Sequence, residues 1–402
     1  SQVERHILDG MTVLLFSEDR RYVVVNLKKV EKRSTTEPVM TYTIRGPRDS
    51  LVESLDSNLS LIRYRLKSES LRIDMLQVGR RNHTQIAVIY FEDIANDQTV
   101  AEIKKRIDAI DVDGLSSSGE LQAYLLNNKI SLFPQMGIVE RSDMACGARL
   151  EGKVIVLMDG SPWALVAPKV FTEYLWSCDD FYMNKFIGTF QRILRIISLN
   201  LAFIVSSLYV AVVSYHSDAL PSAYMIAIAQ ARANVPFSAI LEVLFIELIG
   251  EIIRESLVRV PTKIGTAIGI VGAIIIGQAA VAAGVFSPLI LIVISLSLIS
   301  SFVPADYTIM DPFRVLKYLL ILATGMFGLY GFTLVIIFVL AQLVSINTFG
   351  APYMAPRAPF NLRDFFKSIV YSKPHAPRRP EFLNTKDSTR GPVPPNSGPQ
   401  PK

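Results

Sequence analysis

Hydrophobic and polar positions follow two different rhythms along the chain, and the change falls near residue 188. Before it, short β-branched runs alternate with stretches of helical spacing. Thr12–Phe16, Tyr22–Leu27, Gln85–Tyr90 and Lys153–Met158 are bounded by Gly, Asp or Asn and read as strands. Asn58–Lys67 and Thr99–Ile107 place apolar residues at helical spacing among mixed charges. The pattern predicts an α/β soluble N-terminal region of one or two small mixed domains. Asp111–Gly119, with its Asp, Gly and Ser content, marks a boundary between a first subdomain at 1–113 and a second at 114–187. Ser1 leads directly to Met11–Phe16, a strand entered as if mid-domain, so a longer N-terminus is expected.

After residue 188 the apolar runs lengthen. Four of them, near 192–214, 264–284, 286–304 and 315–345, approach or exceed the ~20 residues a helix needs to cross a bilayer. They predict an all-α polytopic membrane domain over 188–345. A fifth segment, Val235–Val260, carries Glu242, Glu247, Glu251 and Glu255 together with Arg254 and Arg259. At about 100° per residue, Glu247, Glu251 and Glu255 drift only about 40° per step and share a face, while Glu242 stands about 140° from Glu247. Carboxylates facing hydrocarbon are costly. The segment therefore lines water, packs inside an assembly, or lies at the interface as an acidic amphipathic or re-entrant helix.

Composition supports this division. The 402 residues are 50% hydrophobic and 19% charged, below the ~25% charge of ordinary soluble chains. Residues 1–187 hold 50 charged side chains, whereas the 158 residues of 188–345 hold 15. Residues 346–402 carry nine basic and three acidic residues and 11 of the 22 prolines, so the net +5 belongs to this tail. It is expected to be basic, Pro-rich and disordered beyond Ser372, and to suit an anionic leaflet rather than nucleic acid. Lys185, Arg192 and Arg195 before the first span predict a cytoplasmic soluble domain. A cytoplasmic tail then requires an even number of crossings. Four spans satisfy that, with Val235–Val260 not crossing fully.

Candidate chemistry is sparse. Cys146 and Cys178 exclude a disulfide-rich scaffold and a multi-cysteine zinc module, and His6, His83, His216 and His375 lie far apart. No phosphate-binding, dinucleotide or nucleophile-elbow motif is present. No catalytic residue, metal or cofactor is assigned. Asp159-Gly160-Ser161-Pro162 reads as a turn after a strand, with an exposed serine site as the rival. Arg45-Gly46-Pro47-Arg48 reads as an exposed turn, with a phosphate site as its rival. Glu140, Arg141 and Asp143 read as a salt-bridge cluster or interface latch, against an acid–base set. Gly265, Gly269, Gly272 and Gly277 line the second span, and Gly325, Gly328 and Gly331 the fourth. They predict close helix packing within one chain or between subunits. Gln278 is a polar group at membrane depth, read as an interhelical hydrogen bond or a pore group.

Several short motifs occur in a fixed order: Arg45-Gly-Pro-Arg48, Arg63-Tyr-Arg65, Gly79-Arg-Arg81, Phe133-Pro134, Glu140-Arg-Ser-Asp143, Glu151-Gly152 and Asp159-Gly-Ser-Pro162. Leu220-Pro221, Val235-Pro-Phe237, Glu251-Ile-Ile-Arg254-Glu255, Val258-Arg-Val-Pro261, Gly277-Gln278, Ser287-Pro288 and Phe349-Gly350-x-Pro352-Tyr353 follow. In this series the chain resembles the A subunit of the GerA-type nutrient germinant receptors of endospore-forming bacteria. A stage V AF-type sporulation paralogue shares the pattern. The chain departs from the family at Ser142, where Pro is usual, and at Ser256-Leu257, where an Ala-Gly pair is usual.

The resemblance implies a multi-pass protein of the spore inner membrane. It implies a homo-oligomer, a pentamer, that conducts monovalent cations, with a permease-like B subunit and a lipoprotein C subunit as partners. Glu242, Glu247, Glu251, Glu255 and Gln278 are the ion-pathway candidates. Stacked rings of carboxylates would attract cations. A non-conducting scaffold, with its glutamates paired to Arg254, Arg259 or a partner, is the alternative.

Overall fold

The computed structural model describes residues 12–15, 22–25, 46–47, 49–126, 131–259, 277–370 and 378–390. The chain forms two compact units: Ser1–Thr189 with Ser345–Lys402, and Phe190–Val344.

The first unit is α/β. β1 (Thr12–Leu15) and β2 (Tyr22–Val25) pair antiparallel. Then come α1 (Leu55–Arg65), β3 (Leu71–Val78), β4 (Thr84–Phe91), α2 (Asp97–Asp108) and α3 (Ser118–Leu125). β5 (Gly137–Val139), α4 (Ser142–Leu150), β6 (Val154–Met158) and β7 (Ala164–Ala167) follow. Ser54, Asn96 and Ser117 start α1, α2 and α3 by accepting hydrogen bonds from backbone amides of the first turn.

Five strands make one antiparallel sheet in the order β3-β4-β6-β7-β5. Its central strands are apolar on both faces because helices cover both. Ile86, Val88, Val154, Val156 and Leu165 pack with Ile103 and Ile107 of α2 and Leu121 and Leu125 of α3. Ala87, Ile89, Ile155, Leu157 and Val166 pack with Leu55, Leu59 and Ile62 of α1 and Ala145 of α4. The expected division at 113/114 is therefore corrected: β4 pairs directly with β6, Ile86 opposite Met158, so one sheet joins both halves.

The C-terminal segment returns to this unit. Phe349 enters the α2–α3 side of the core, where Thr99 donates to its carbonyl at 3.1 Å and Arg106 lies over its ring. Phe349 and Gly350 both adopt positive φ at the turn between β8 (Asn347–Thr348) and β9 (Ala351–Pro352). Tyr353 is fully buried against Phe133, Phe171 and Tyr174. Then α10 (Leu362–Ile369) is held by Trp176, whose Nε1 donates to the Ser368 carbonyl at 3.1 Å.

The tail was expected to stand apart as a disordered segment, yet Arg378–Arg390 lies on the α/β unit. The Lys386 amide donates to Ile94, Arg379 donates to the Leu150 carbonyl, and Arg390 pairs with Glu151. Gly152, at φ +94, lies against Thr385, where a Cβ would collide. Residues 391–402 lie outside the described residues.

The second unit is helical: α5 (Lys185–Ser214, which begins in the first unit), α6 (Ser222–Arg232), α7 (Ala239–Arg259), α8 (Pro288–Ser300) and α9 (Met310–Ser345). Among the described residues, two helices are long and apolar enough to cross a membrane, Lys185–Ser214 and Tyr307–Ser345. They overlap the first and fourth apolar runs of the sequence.

The third expected span is shorter than read. α8 has 13 residues. At 1.5 Å per residue it rises about 20 Å, less than the ~30 Å of a hydrocarbon core. Ser287 caps its start and Ser301 its end. The second expected span lies mostly outside the described residues; 277–282 is helical.

α9 is bent at Gly328, whose φ of 61° and ψ of −144° suit glycine and not an L side chain. A Cβ on Gly331 would strike the Ala323 carbonyl. Eight residues of straight helix would put them about 12 Å apart, so the two limbs turn sharply against each other.

Candidate functional site

The helical unit has an apolar core that includes Val210, Val243, Ile290 and Ile321, but it also buries polar and charged side chains while large apolar ones stand outside. On α7, Glu242, Glu247 and Arg254 are buried while Leu241, Phe245, Leu248 and Ile252 are exposed. On α8, Ser297 and Ser300 are buried and Ile292, Leu296 and Ile299 are exposed. On α5, Ser206 and Ser207 are inside and Ile197 and Leu208 outside.

The buried charges form a ladder between α7 and α9. Glu247 Oε1 accepts from Ser206 Oγ at 2.6 Å and pairs with Lys317 Nζ at 2.5 Å. Lys317 also donates to Ser297 Oγ at 2.8 Å, and Ser297 donates to the Ala202 carbonyl at 2.9 Å. One buried ion pair thus links α5, α7, α8 and α9.

One turn further along α7, Glu251 takes both Nε and a terminal nitrogen of Arg314 and pairs with Arg254 at 3.3 Å. Arg254 in turn donates to Ser301 Oγ at 2.8 Å and lies over the Phe302 ring. Pairing of 247 with 317 and 251 with 314 makes the ladder antiparallel.

Glu242 is fully buried and separate from this ladder. Its Oε1 accepts from the Ser287 amide at 2.6 Å, at the capping residue of α8, where the helix dipole favours negative charge. Arg232 approaches its other oxygen at 3.4 Å. Glu255 is exposed and pairs with Arg259 one turn on, at 2.5 Å.

The shared face of Glu247, Glu251 and Glu255 was expected; its partners were not. Lys317 lies within the apolar 315–345 stretch and Arg314 just ahead of it. A cation pair at i, i+3 beside an apolar run is the signal that could have found them.

Gln278 is exposed. Gly277 has open space where a Cβ would stand, whereas Gly325 faces Ile240 of α7 so closely that a Cβ would overlap it. Gly328 sits at the bend of α9 against Tyr215. Gly265, Gly269 and Gly272 lie outside the described residues.

The motif candidates of the α/β unit have structural roles. Asp159 Oδ1 accepts from the Leu55 amide at 3.1 Å, Gly160 turns at φ 79°, and Ser161 is buried, 2.8 Å from Ser118 Oγ. This is a turn joining β6 to β7, with no exposed serine. Arg141 is fully buried and meets Asp143 through two bonds of 3.0 and 2.6 Å. Burial pushes the Asp49 carboxyl up, but the Arg65 and Ser142 hydrogen bonds outweigh it and hold the group below the usual carboxylate range. Arg45 and Arg48 lie outside the described residues.

Comparison with known proteins gives the family. The family model for the Bacillus/Clostridium GerA spore germination protein matches residues 1–382. The chain belongs to the GerA spore germination family. This GerA-family chain is 38% identical over 384 residues to Spore germination protein GerLA of Bacillus cereus, covering 95% of this chain and 78% of that one. It is 35% identical over 362 residues to Spore germination protein KA of Bacillus subtilis (strain 168), covering 90% and 66%. It also resembles the crystallised N-terminal domain of the A subunit of the Bacillus megaterium spore germinant receptor GerK3, at 27% identity and TM-score 0.32, over 42% of this chain and 60% of that one. The resemblance read from the ordered motifs therefore holds, and the chain is of the GerA A-subunit type.

Proposed function

We propose that this GerA-family chain is a membrane-embedded subunit of a nutrient germinant receptor, and that several copies together form a path for monovalent cations gated by the α7–α9 ladder. The observation that carries this reading is the ladder. Replacing a buried ion pair by apolar residues of similar volume is often neutral or stabilising, so stability alone does not explain its presence. Ionisable side chains inside apolar helices mark ion routes and switches. The outward apolar faces of α5, α7, α8 and α9 suit lipid as their solvent. The chain leaves the α/β unit at Thr189 and rejoins it at Ser345, so a membrane crossed by the helical unit is crossed an even number of times.

In the paired state, Glu247 and Glu251 are neutralised by Lys317 and Arg314 and offer little to a passing cation. Two cations of α9 serve the ladder, while Arg254 and Arg259 of α7 itself pair with Glu251 and Glu255. A one-turn slide, about 5.4 Å, would re-pair Glu251 with Lys317 and Glu255 with Arg314 and free Glu247. The germinant would be sensed by a permease-like B subunit, with a lipoprotein C subunit as a further partner. The α/β unit and tail would face the core side of the spore inner membrane.

The in-chain pairing also favours a second reading, a non-conducting scaffold whose glutamates only hold helices together. Spores separate the two. Lys317→Gln should leak monovalent cations without nutrient if the ladder gates a path; in a scaffold it should lower subunit levels without a leak. Glu251→Gln with Glu255→Gln should slow nutrient-triggered release. Unchanged release at normal subunit levels would end the conducting role.

A further inference from the structure

One helix of the α/β unit is built like those of the helical unit. On α10, Asp364 and Ser368, one turn apart, are the buried residues. Asp364 accepts the Glu381 amide at 3.0 Å, and Ser368 donates to the Phe365 carbonyl. The opposite side is apolar and open: Leu362 is 59% exposed and Phe366 56%, and Phe360, just before the helix, is 65% exposed. Phe365 bridges these rings, 5.6 Å from Phe360 and 6.0 Å from Phe366. An apolar face turned outward with the polar face tucked inward is the reverse of a water-facing helix. Cations flank the aromatic patch. Arg363 is exposed and Lys367 half-buried, 3.4 Å from Asp364. The segment from 346 to 402 is net +6. Leu362 also lies only 17 residues beyond Ser345, the last residue of α9.

We infer that α10 is an interfacial foot: Phe360, Leu362 and Phe366 enter the boundary between headgroups and acyl chains, and Arg363 and Lys367 meet the phosphates of anionic lipid. Such a placement satisfies an amphipathic helix with aromatic and basic residues together. Charge complementarity commits the surface to anionic lipid. A second copy of the chain would present the same cations to itself. The inference rests on the membrane reading of the helical unit and adds a peripheral contact that reading does not require.

The full chain, reconstituted in vesicles of phosphatidylethanolamine and phosphatidylglycerol with brominated acyl chains, tests it. Tryptophan emission is read for Phe366→Trp, Ile337→Trp on exposed α9 and Tyr64→Trp on exposed α1, each as the difference from the parent. Phe366→Trp and Ile337→Trp should both be quenched more than twofold and Tyr64→Trp not at all. Adding Arg363→Glu and Lys367→Glu should at least halve the quenching at 366 and leave 337 unchanged. Quenching at 337 without quenching at 366 overturns the foot and leaves the membrane reading standing. A blue-shifted but unquenched signal at 366 means protein covers it and overturns the lipid contact. Absence of quenching at both positions overturns both.

Discussion

Helix α2 of the α/β unit buries Val100, Ile103 and Ile107 and exposes Lys105 and Asp108. Helix α7 of the helical unit buries Glu242, Glu247 and Arg254 and exposes Phe245, Leu248 and Ile252. Both are regular helices, and both bury apolar residues, Val243 and Ile246 on α7, but α7 buries charges beside them and leaves a row of large apolar side chains outside. The first arrangement removes apolar surface from water. The second is unfavourable in water and favourable where the surroundings are themselves apolar, because each buried charge then finds its partner inside. The contrast teaches that the two units answer to different solvents. It also explains why α10, in the α/β unit but with Asp364 and Ser368 inside and Leu362 and Phe366 outside, stands out.

Breaking one ladder pair tests the contrast most strongly. Lys317→Met leaves Glu247 buried without its cation and should cost about 3–5 kcal/mol, read by thermal unfolding in detergent. Adding Glu247→Leu should recover most of that loss. The exposed pair Arg80–Asp111 of the α/β unit is the control, and Asp111→Ala should leave the melting temperature unchanged.

A somewhat smaller effect distinguishes the outer surfaces. Ile252→Lys places a charge on the exposed face of α7 and should cost about 2.5–3.5 kcal/mol of membrane insertion, read as the fraction of chain recovered in membranes. Tyr64→Lys, equally exposed on α1, should be tolerated. If both are tolerated alike, the two units share one solvent.

The smallest effect concerns pH. Asp49 has a carboxyl held low in the folded state by Arg65 and Ser142. A depressed pKa adds stability above the unfolded value, near 4, and that stability is lost as pH falls through the folded value. Asp49→Asn should therefore flatten the acid limb of the unfolding curve and lower stability slightly at neutral pH.

Much of this was legible in the sequence. The β-branched run Gln85–Tyr90 read as a strand, and α2 showed its helical spacing directly. β3 was missed because Arg72 and Asp74 interrupt its apolar residues at an edge of the sheet. β5 and β7, three and four residues long, carry too little pattern to detect. The shared face of Glu247 and Glu251 was visible from spacing alone. Its partners are 63 and 70 residues away, and pairing over such distances is a property of packing. Docking of Arg378–Arg390 was hidden for the same reason: composition marks the tail that contains it as basic and Pro-rich, while the fit of Thr385 against Gly152 depends on the fold.

Cysteine labelling along 241–255 in the full chain, embedded in membranes at rest, bears most directly on the buried charges and outward apolar row of α7. Cysteines at Phe245, Leu248 and Ile252 should react with a lipid-soluble maleimide and not with a charged, water-soluble one. Those at Val243, Ile246 and Glu247 should be protected from both. Labelling of Glu247→Cys and Glu251→Cys by the water-soluble reagent in the resting state, with Phe245 and Leu248 protected, would contradict it.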